Sequence, residues 1–267
     1  MLRHGVKSSL TLLRYTLYMK TFPKNLIGLL LGGTVMLSLS GCNANGRFAL
    51  HASLTGQLAT ATASAKESGD RYTIDVRVAT QGIYNFLRGK RTEHYRSVGH
   101  IRHGLYYSDR LTIERWSSKE KMHDLIQYRM DYHAKKIIRT YQKWVQEKQT
   151  ANTSGALDHF GHNDYLTLFH NALKQYGKSP AKRITYIAAG SEETHGKVPI
   201  YLSHDPKLIR RWGGPQGGTL LQMGIHKGIF KNGKGSMTVL LDAHNHPRVF
   251  YFSNMITIGT LKGTPTR

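Results

Sequence analysis

"RYTIDVRVAT", residues 71–80, alternates without a break: Tyr72, Ile74, Val76 and Val78 are apolar, while Arg71, Thr73, Asp75 and Arg77 are polar. A period of two places every second side chain on the same face, so this is a strand with one side on a core and the other in water. The preceding stretch, "RFALHASLTGQLATATASAKESGD", has Phe48, Leu50, Ala52 and Leu54 in the same alternation, and Ser68-Gly69-Asp70 reads as a turn into the Tyr72 strand. An antiparallel pair is expected.

Working outward, "IYNFLRGK" (83–90) is a short apolar excursion, helical or looped, before strands resume at "RTEHYRSV", "GLYYSDRLTIERW" and "LIQYRMDY". "KKIIRTYQKWVQEK" (135–148) fits a strand or a helix, and the polar stretch Gln146 to Gly155 reads as a loop. Strand patterns return at "RITYIAA", "KVPIYLS", "TLLQMGIHKGIF", "SMTVLLDA" and "PRVFYFSNMITIG". About ten short strands separated by turn residues predict a mainly β, β-rich α+β fold: a large curved antiparallel sheet or open barrel. One segment departs from the pattern. In "HNDYLTLFHNALKQYG", Asn163 or Asp164 can cap a helix over 164–176, with Leu166, Phe169, Leu173 and Tyr176 on one face and Gly177 as its stop. That helix is expected to cover the concave side or the open end of the sheet.

The N-terminal region is of a different kind. Leu26 to Ser40, "LIGLLLGGTVMLSLS", is uncharged, short for a span of about 20 residues, and suited to a signal-peptide core of about 7–15. Lys20 and Lys24 precede it, and Leu39-Ser40-Gly41-Cys42 follows, holding the single cysteine of the chain. This tetrapeptide resembles the lipobox of bacterial lipoproteins. The resemblance implies lipidation of Cys42, cleavage before it, and attachment to a membrane by acyl chains. The expected organisation is therefore a signal peptide over 1–41, with Met19 as a possible true start, a lipidated Cys42 and short tether over 42–46, and one β-rich periplasmic domain over 47–267. Asn43 is not the Asp associated with inner-membrane retention, so the outer membrane of a Gram-negative envelope is the favoured address. With one cysteine, an intrachain disulfide is impossible, as is zinc-thiolate chemistry.

Charge narrows the partners. The 38 Lys and Arg against 16 Asp and Glu give a formal +22. Residues 1–41 hold five of those basic residues and no acidic one, so 33 remain against 16, or +17, and the charge belongs to the folded body. The charge suits anionic lipid headgroups, lipopolysaccharide or acidic cell-wall polymers, and a solvated basic surface with no specific partner is the alternative. No helix-turn-helix, zinc finger or RNA-binding aromatic motif is present, and nucleic acid is a poor candidate partner for a protein outside the cytoplasm.

No serine-hydrolase elbow, P-loop or dinucleotide fingerprint occurs, and no cofactor is expected. "GGPQGG" (213–218) reads as a mobile loop, and Glu192-Glu193 with His195 sits in "GSEETHGK", which has the composition of a hairpin turn. His159, His162 and His170 form one histidine cluster. Asp242, His244 and His246 form another, a weak candidate for metal ligation if the turn aims both imidazoles to one side.

The segments "VRVATQG", "RTEHYRS", "HNDYLTL", "LLDAHNHPRVFYF" and "MITIGTLKG" together resemble a family of Gram-negative periplasmic proteins known only as a domain of unknown function. That resemblance covers most of 47–263 and implies a curved β-sheet and a compartment, with no chemistry attached. A curved sheet with a covering helix also resembles carriers of the LolA and LolB type, which implies an apolar concave surface for acyl chains. The functional expectation is a membrane-anchored envelope lipoprotein that binds or carries an apolar or anionic envelope component. The alternatives are a structural or assembly lipoprotein that contacts another envelope protein and, third, a glycan- or peptide-acting hydrolase.

Overall fold

The computed structural model describes residues 43–52, 56–82, 85, 89–179, 181–225, 235–255 and 259–266. Eight strands follow one another as an antiparallel meander: β1 (Asn43–Ala52), β2 (Gly56–Ser68), β3 (Arg71–Thr80), β4 (Arg91–Arg102), β5 (Leu105–Ser117), β6 (Met122–Asp131), β7 (Lys136–Val145) and β8 (Lys148–Ala156). The chain then crosses to the far edge of the same sheet, where the two-residue β9 (Asn163–Asp164) pairs in parallel with β10 and helix α1 (Leu168–Tyr176) follows. A second meander returns through β10 (Ala181–Ala189), β11 (Lys197–Ser203), β12 (Thr219–Ile225), β13 (Gly235–Leu241), β14 (Pro247–Met255) and β15 (Gly259–Pro265). Helix α2 (Pro206–Arg211) lies between β11 and β12. β15 joins the two meanders by pairing with β1, with Gly263 opposite Leu50, so all fifteen strands form one sheet that runs from β8 to β9.

The predicted alternation on β3 is present: Tyr72, Ile74, Val76 and Val78 are buried and their neighbours are not. Register carries the buried row across the sheet. Ala61, Ala63 and Ala65 of β2 lie opposite Val78, Val76 and Ile74, and these lie opposite Glu93, Tyr95 and Ser97 of β4. Tight turns keep the register. His103-Gly104 and Gln146-Glu147 have positive φ at both residues, as a two-residue type I′ hairpin requires.

The sheet curls until β9 meets β5. Residues 105–109 of β5 extend beyond the part paired with β6, and this free edge is satisfied from across the interior. The Ser108 N–H donates to the His162 carbonyl at 2.9 Å. Asn171 of α1 accepts from the Tyr106 N–H and donates to the Tyr106 carbonyl, both at 2.8 Å, so one side chain stands in for a neighbouring strand. The interior is packed by Leu50, Leu58, Ile74, Leu111, Leu166, Phe169, Phe250 and Phe252. A smaller cluster lies on the outer face, where Ile209 of α2 covers Leu220, Leu240 and Val249. This is why β13 is buried on both faces.

Several expectations are corrected. Residues 43–46, expected as tether, are the start of β1, paired with residues 63–66 of β2 through the backbone. The loop expected over Gln146 to Gly155 is a turn followed by the edge strand β8. The segment at 135–148, open between strand and helix, is strand β7 as far as Val145. The helix begins at Leu168 rather than 164, and α2 is a second helix. The signal peptide, Cys42 and most of the excursion at 83–90 lie outside the described residues.

Candidate functional site

Because inward and outward positions alternate, the outer face of β1–β4 can be read from register alone. Arg47 lies opposite Thr62, Thr62 opposite Arg77 and Arg77 opposite His94. In the next outward row, Ser64 lies opposite Asp75 and Asp75 opposite Arg96. These rows, with Lys66 and Arg71, line an open concavity of about 870 Å³. Its cations are Arg47, Lys66, Arg71, Arg77 and Arg96, and its one carboxylate is Asp75. That carboxylate is engaged, at 2.9 Å from His94 Nε2 and 3.4 Å from Arg77 Nε. Arg71 is paired with Asp109 at 2.7 Å. No carboxylate among the described residues lies within ion-pairing distance of Arg47, Lys66 or Arg96.

The concavity continues along the sheet. Thr62 and Arg77 also line a second one, of about 450 Å³, floored by Thr60, Ala79 and Thr92 and walled by Trp116. Beyond that wall, on the same outward row, come His123 and Trp144. Among the described residues Trp116 is the exposed large apolar side chain, at 36%.

The polar groups inside the curled sheet are held for structure. Asp164, fully buried, accepts at Oδ2 from Ser97 Oγ and Ser108 Oγ, each at 2.6 Å, and at Oδ1 from the Leu166 and Thr167 N–H groups at 2.7 and 3.1 Å. Burial raises its pKa against the opposing pull of those donors. Since the Ser97 proton is committed to Asp164, Tyr72 donates to Ser97 across 3.0 Å. The expected cap residue therefore does cap, though the turn before the helix, and it also ties that turn to β4 and β5. At another level of the interior, Glu93 accepts from the Tyr95 hydroxyl and lies 3.6 Å from both Arg91 Nε and Arg115 Nε. Burial raises the Glu93 pKa, opposed by Arg115 and Arg91.

The histidine clusters seen in the sequence separate in space. His170 stacks on Tyr106 with ring centroids 3.7 Å apart, His162 stacks on Tyr107, and His159 pairs with Asp158, which also holds His195. Burial lowers the pKa of both His162 and His170. Asp242, His244 and His246 do share one turn, but Asp242 Oδ1 is taken by the backbone N–H groups of His244 and His246, and its Oδ2 lies 2.9 Å from Arg248. Among the described residues no three His, Cys, Asp or Glu side chains converge to hold a metal. Glu192 lies in a turn between β10 and β11, as its composition suggested, and accepts from the Tyr128 hydroxyl beside Arg139. "GGPQGG" is a loop pinned against α2, where the Gly214 N–H donates to the Ile209 carbonyl. The outer basic face was missed as a site. Its signal was in the sequence, in the cations at alternate positions of strands already read as half-exposed.

No protein-family model matches the chain, and no curated protein matches it. Among solved structures it is similar to a beta-barrel-like protein of domain of unknown function DUF1849 from Brucella abortus. The TM-score is 0.50 over 84% of this chain and 95% of that one, at 10% identity. The likeness is one of fold: a mostly β, barrel-like curved sheet.

Proposed function

We propose that this protein is a Gram-negative envelope lipoprotein, held at a membrane through Cys42, preferentially the outer one and facing the periplasm, which binds an anionic envelope component on the outer face of β1–β4. The observation that carries the reading is the concavity lined by five cations and one already engaged carboxylate. The start of β1 supports it. Asn43, which follows Cys42 in sequence, pairs with Lys66, and Arg47 is only about 13 Å further along the strand. Lipid headgroups, lipopolysaccharide and acidic polymers all present the required charge. The apolar-cargo branch has less support, since Leu50, Phe169, Phe250 and Phe252 already fill the concave side.

Each cation near an anionic surface contributes about 1 kcal/mol. The three without carboxylate partners then account for about 3 kcal/mol, or roughly a hundredfold in affinity. The test is calorimetric titration of inorganic polyphosphate into the full chain in neutral detergent at low salt. Neutralising Arg47, Lys66 and Arg96 to Gln should weaken binding about a hundredfold. Equal affinity of the triple variant and the parent overturns the reading.

A second reading, an assembly lipoprotein that contacts another envelope protein, is favoured by β8. This edge strand of nine residues is exposed along nearly its whole length and carries one charge, Lys148, so its open backbone edge is suited to accept a strand from a partner. Crosslinking from Thr150 or Asn152 in intact cells tests it, and failure to capture a discrete partner removes it.

A further inference from the structure

The outer face has a second half, which the basic concavity alone does not explain. Register places Ala79 opposite Thr60 and Thr92, Thr92 opposite Trp116, Trp116 opposite His123 and His123 opposite Trp144, giving one outward row across six strands. In half of this row the rings stack like coins. Trp116 and His123 are 5.0 Å apart at 5°, and His123 and Trp144 are 5.0 Å apart at 18°. The ring normals therefore run along the row. One indole face of Trp116 is covered by His123, and the other looks back along the row over Thr92 and Ala79.

That free face forms the wall of the 450 Å³ concavity, whose floor is made of small side chains and which Arg77, in the neighbouring outward row, also lines. Small residues at three consecutive positions beside a large aromatic leave an open recess with an apolar wall and hydroxyls below, lined also by Arg77 and His94 of the neighbouring outward row. A ring-shaped ligand with a C–H face and hydroxyl edges suits it: the face packs on indole, the edges reach Thr60 and Thr92, and a negative substituent reaches Arg77. Since Thr62 and Arg77 line both this recess and the basic concavity, the two are continuous.

Resting on the anion-binding reading, we propose that the ligand of this face is an anionic glycan: a pyranose stacks on the free face of Trp116, and the acidic groups of the same chain lie on Arg77, Arg96 and Lys66. A bare phosphate chain lacks the ring face, and a neutral saccharide lacks the charge. The charge of the face selects an acidic saccharide over a neutral one, and the stacked Trp116 selects a saccharide over a simple polyanion.

The experiment titrates two probes, a heparin-derived hexasaccharide and an inorganic polyphosphate of matched charge, into the full chain in neutral detergent. The parent is compared with Trp116→Ala and with Ala79→Phe, which fills the recess while leaving the indole in place; melting curves confirm that both variants fold. The expected result is a hexasaccharide affinity above that of polyphosphate, lost about tenfold in either variant, with polyphosphate binding unchanged. If polyphosphate binds and the hexasaccharide binds no more tightly, insensitive to both variants, the glycan inference falls and the anionic reading stands. If neither probe binds the parent, the anionic reading itself falls.

Discussion

Replacing Asp164 by alanine removes the acceptor on which four donors from three elements converge: Ser97 on β4, Ser108 on β5, and the amides of Leu166 and Thr167 ahead of α1. The residue is fully buried, so water does not replace the lost partners. The Leu166 amide left unpaired costs about 1–3 kcal/mol, the Thr167 amide keeps the Asp164 backbone carbonyl at 3.2 Å, and the serine hydroxyls can rotate toward other acceptors and recover part of their loss. The expected destabilisation is about 4 kcal/mol, a large share of a total of roughly 5–15. At about 2–4 °C per kcal/mol for a domain of this size, the melting temperature falls by about 8–16 °C. Asp164→Asn keeps Oδ1 for the two amides and turns an NH2 group toward the serines, which can then accept, so its loss is about 1–2 kcal/mol. Thermal denaturation followed by circular dichroism on the full chain measures both. A double-mutant cycle with Ser97→Ala should show coupling of about 1 kcal/mol or more. An Asp164→Ala protein that melts within 2 °C of the parent refutes the idea that this carboxylate fastens the end of the curled sheet.

Burial holds the His162 pKa below the ordinary 6.5, so as pH falls through that value the unfolded chain takes up the proton before the folded one does. Stability is then full above the ordinary histidine range and is lost on acidification, and His162→Phe, which keeps a ring against Tyr107, should flatten the fall in melting temperature between about pH 6.5 and 5. An unchanged slope contradicts the assignment. At the seam between the two meanders, Gly263 pairs with both Leu50 and Phe250, and a Cβ there would lie 1.8 Å from the Phe250 ring. Gly263→Ala should therefore cost about 1–3 kcal/mol in chemical denaturation, and a neutral substitution would show that the β15–β1 seam is looser than described.

What was legible in the sequence is what period two controls. β3 was readable because Tyr72, Ile74, Val76 and Val78 face a core while their neighbours face water. The strand that was read as a loop, β8, lacks that contrast, and so does β2, which was expected to pair with β3 but was not separated from β1. β8 has water on both faces, and the inward residues of β2, Ala59 to Ala65, are small enough to leave little signal between its threonines. The start of β1 is held by backbone pairing, to which Asn43, Ala44 and Asn45 give no apolar clue. Helix α2 is too short for periodicity, yet its Asp205 cap, which accepts from the Lys207 N–H, and its Pro206 were both visible. The histidine clusters misled for a different reason. Proximity in sequence placed His159, His162 and His170 together, whereas the turn and the helix send each to a different aromatic or acidic neighbour. The basic groove is assembled from alternate positions of four strands, so its cations are legible strand by strand while their grouping on one face needs the register.

The most direct test of the central claim is arginine and lysine footprinting of the full chain, with phenylglyoxal and an acylating reagent, read by mass spectrometry with and without a saturating anionic probe. Protection concentrated at Lys66, Arg77 and Arg96, with exposed cations elsewhere such as Lys135, Arg210 and Arg211 reacting as before, is the result the outer-face site predicts. Uniform protection, or protection centred on Arg210 and Arg211, would contradict it and place anion binding elsewhere on the molecule.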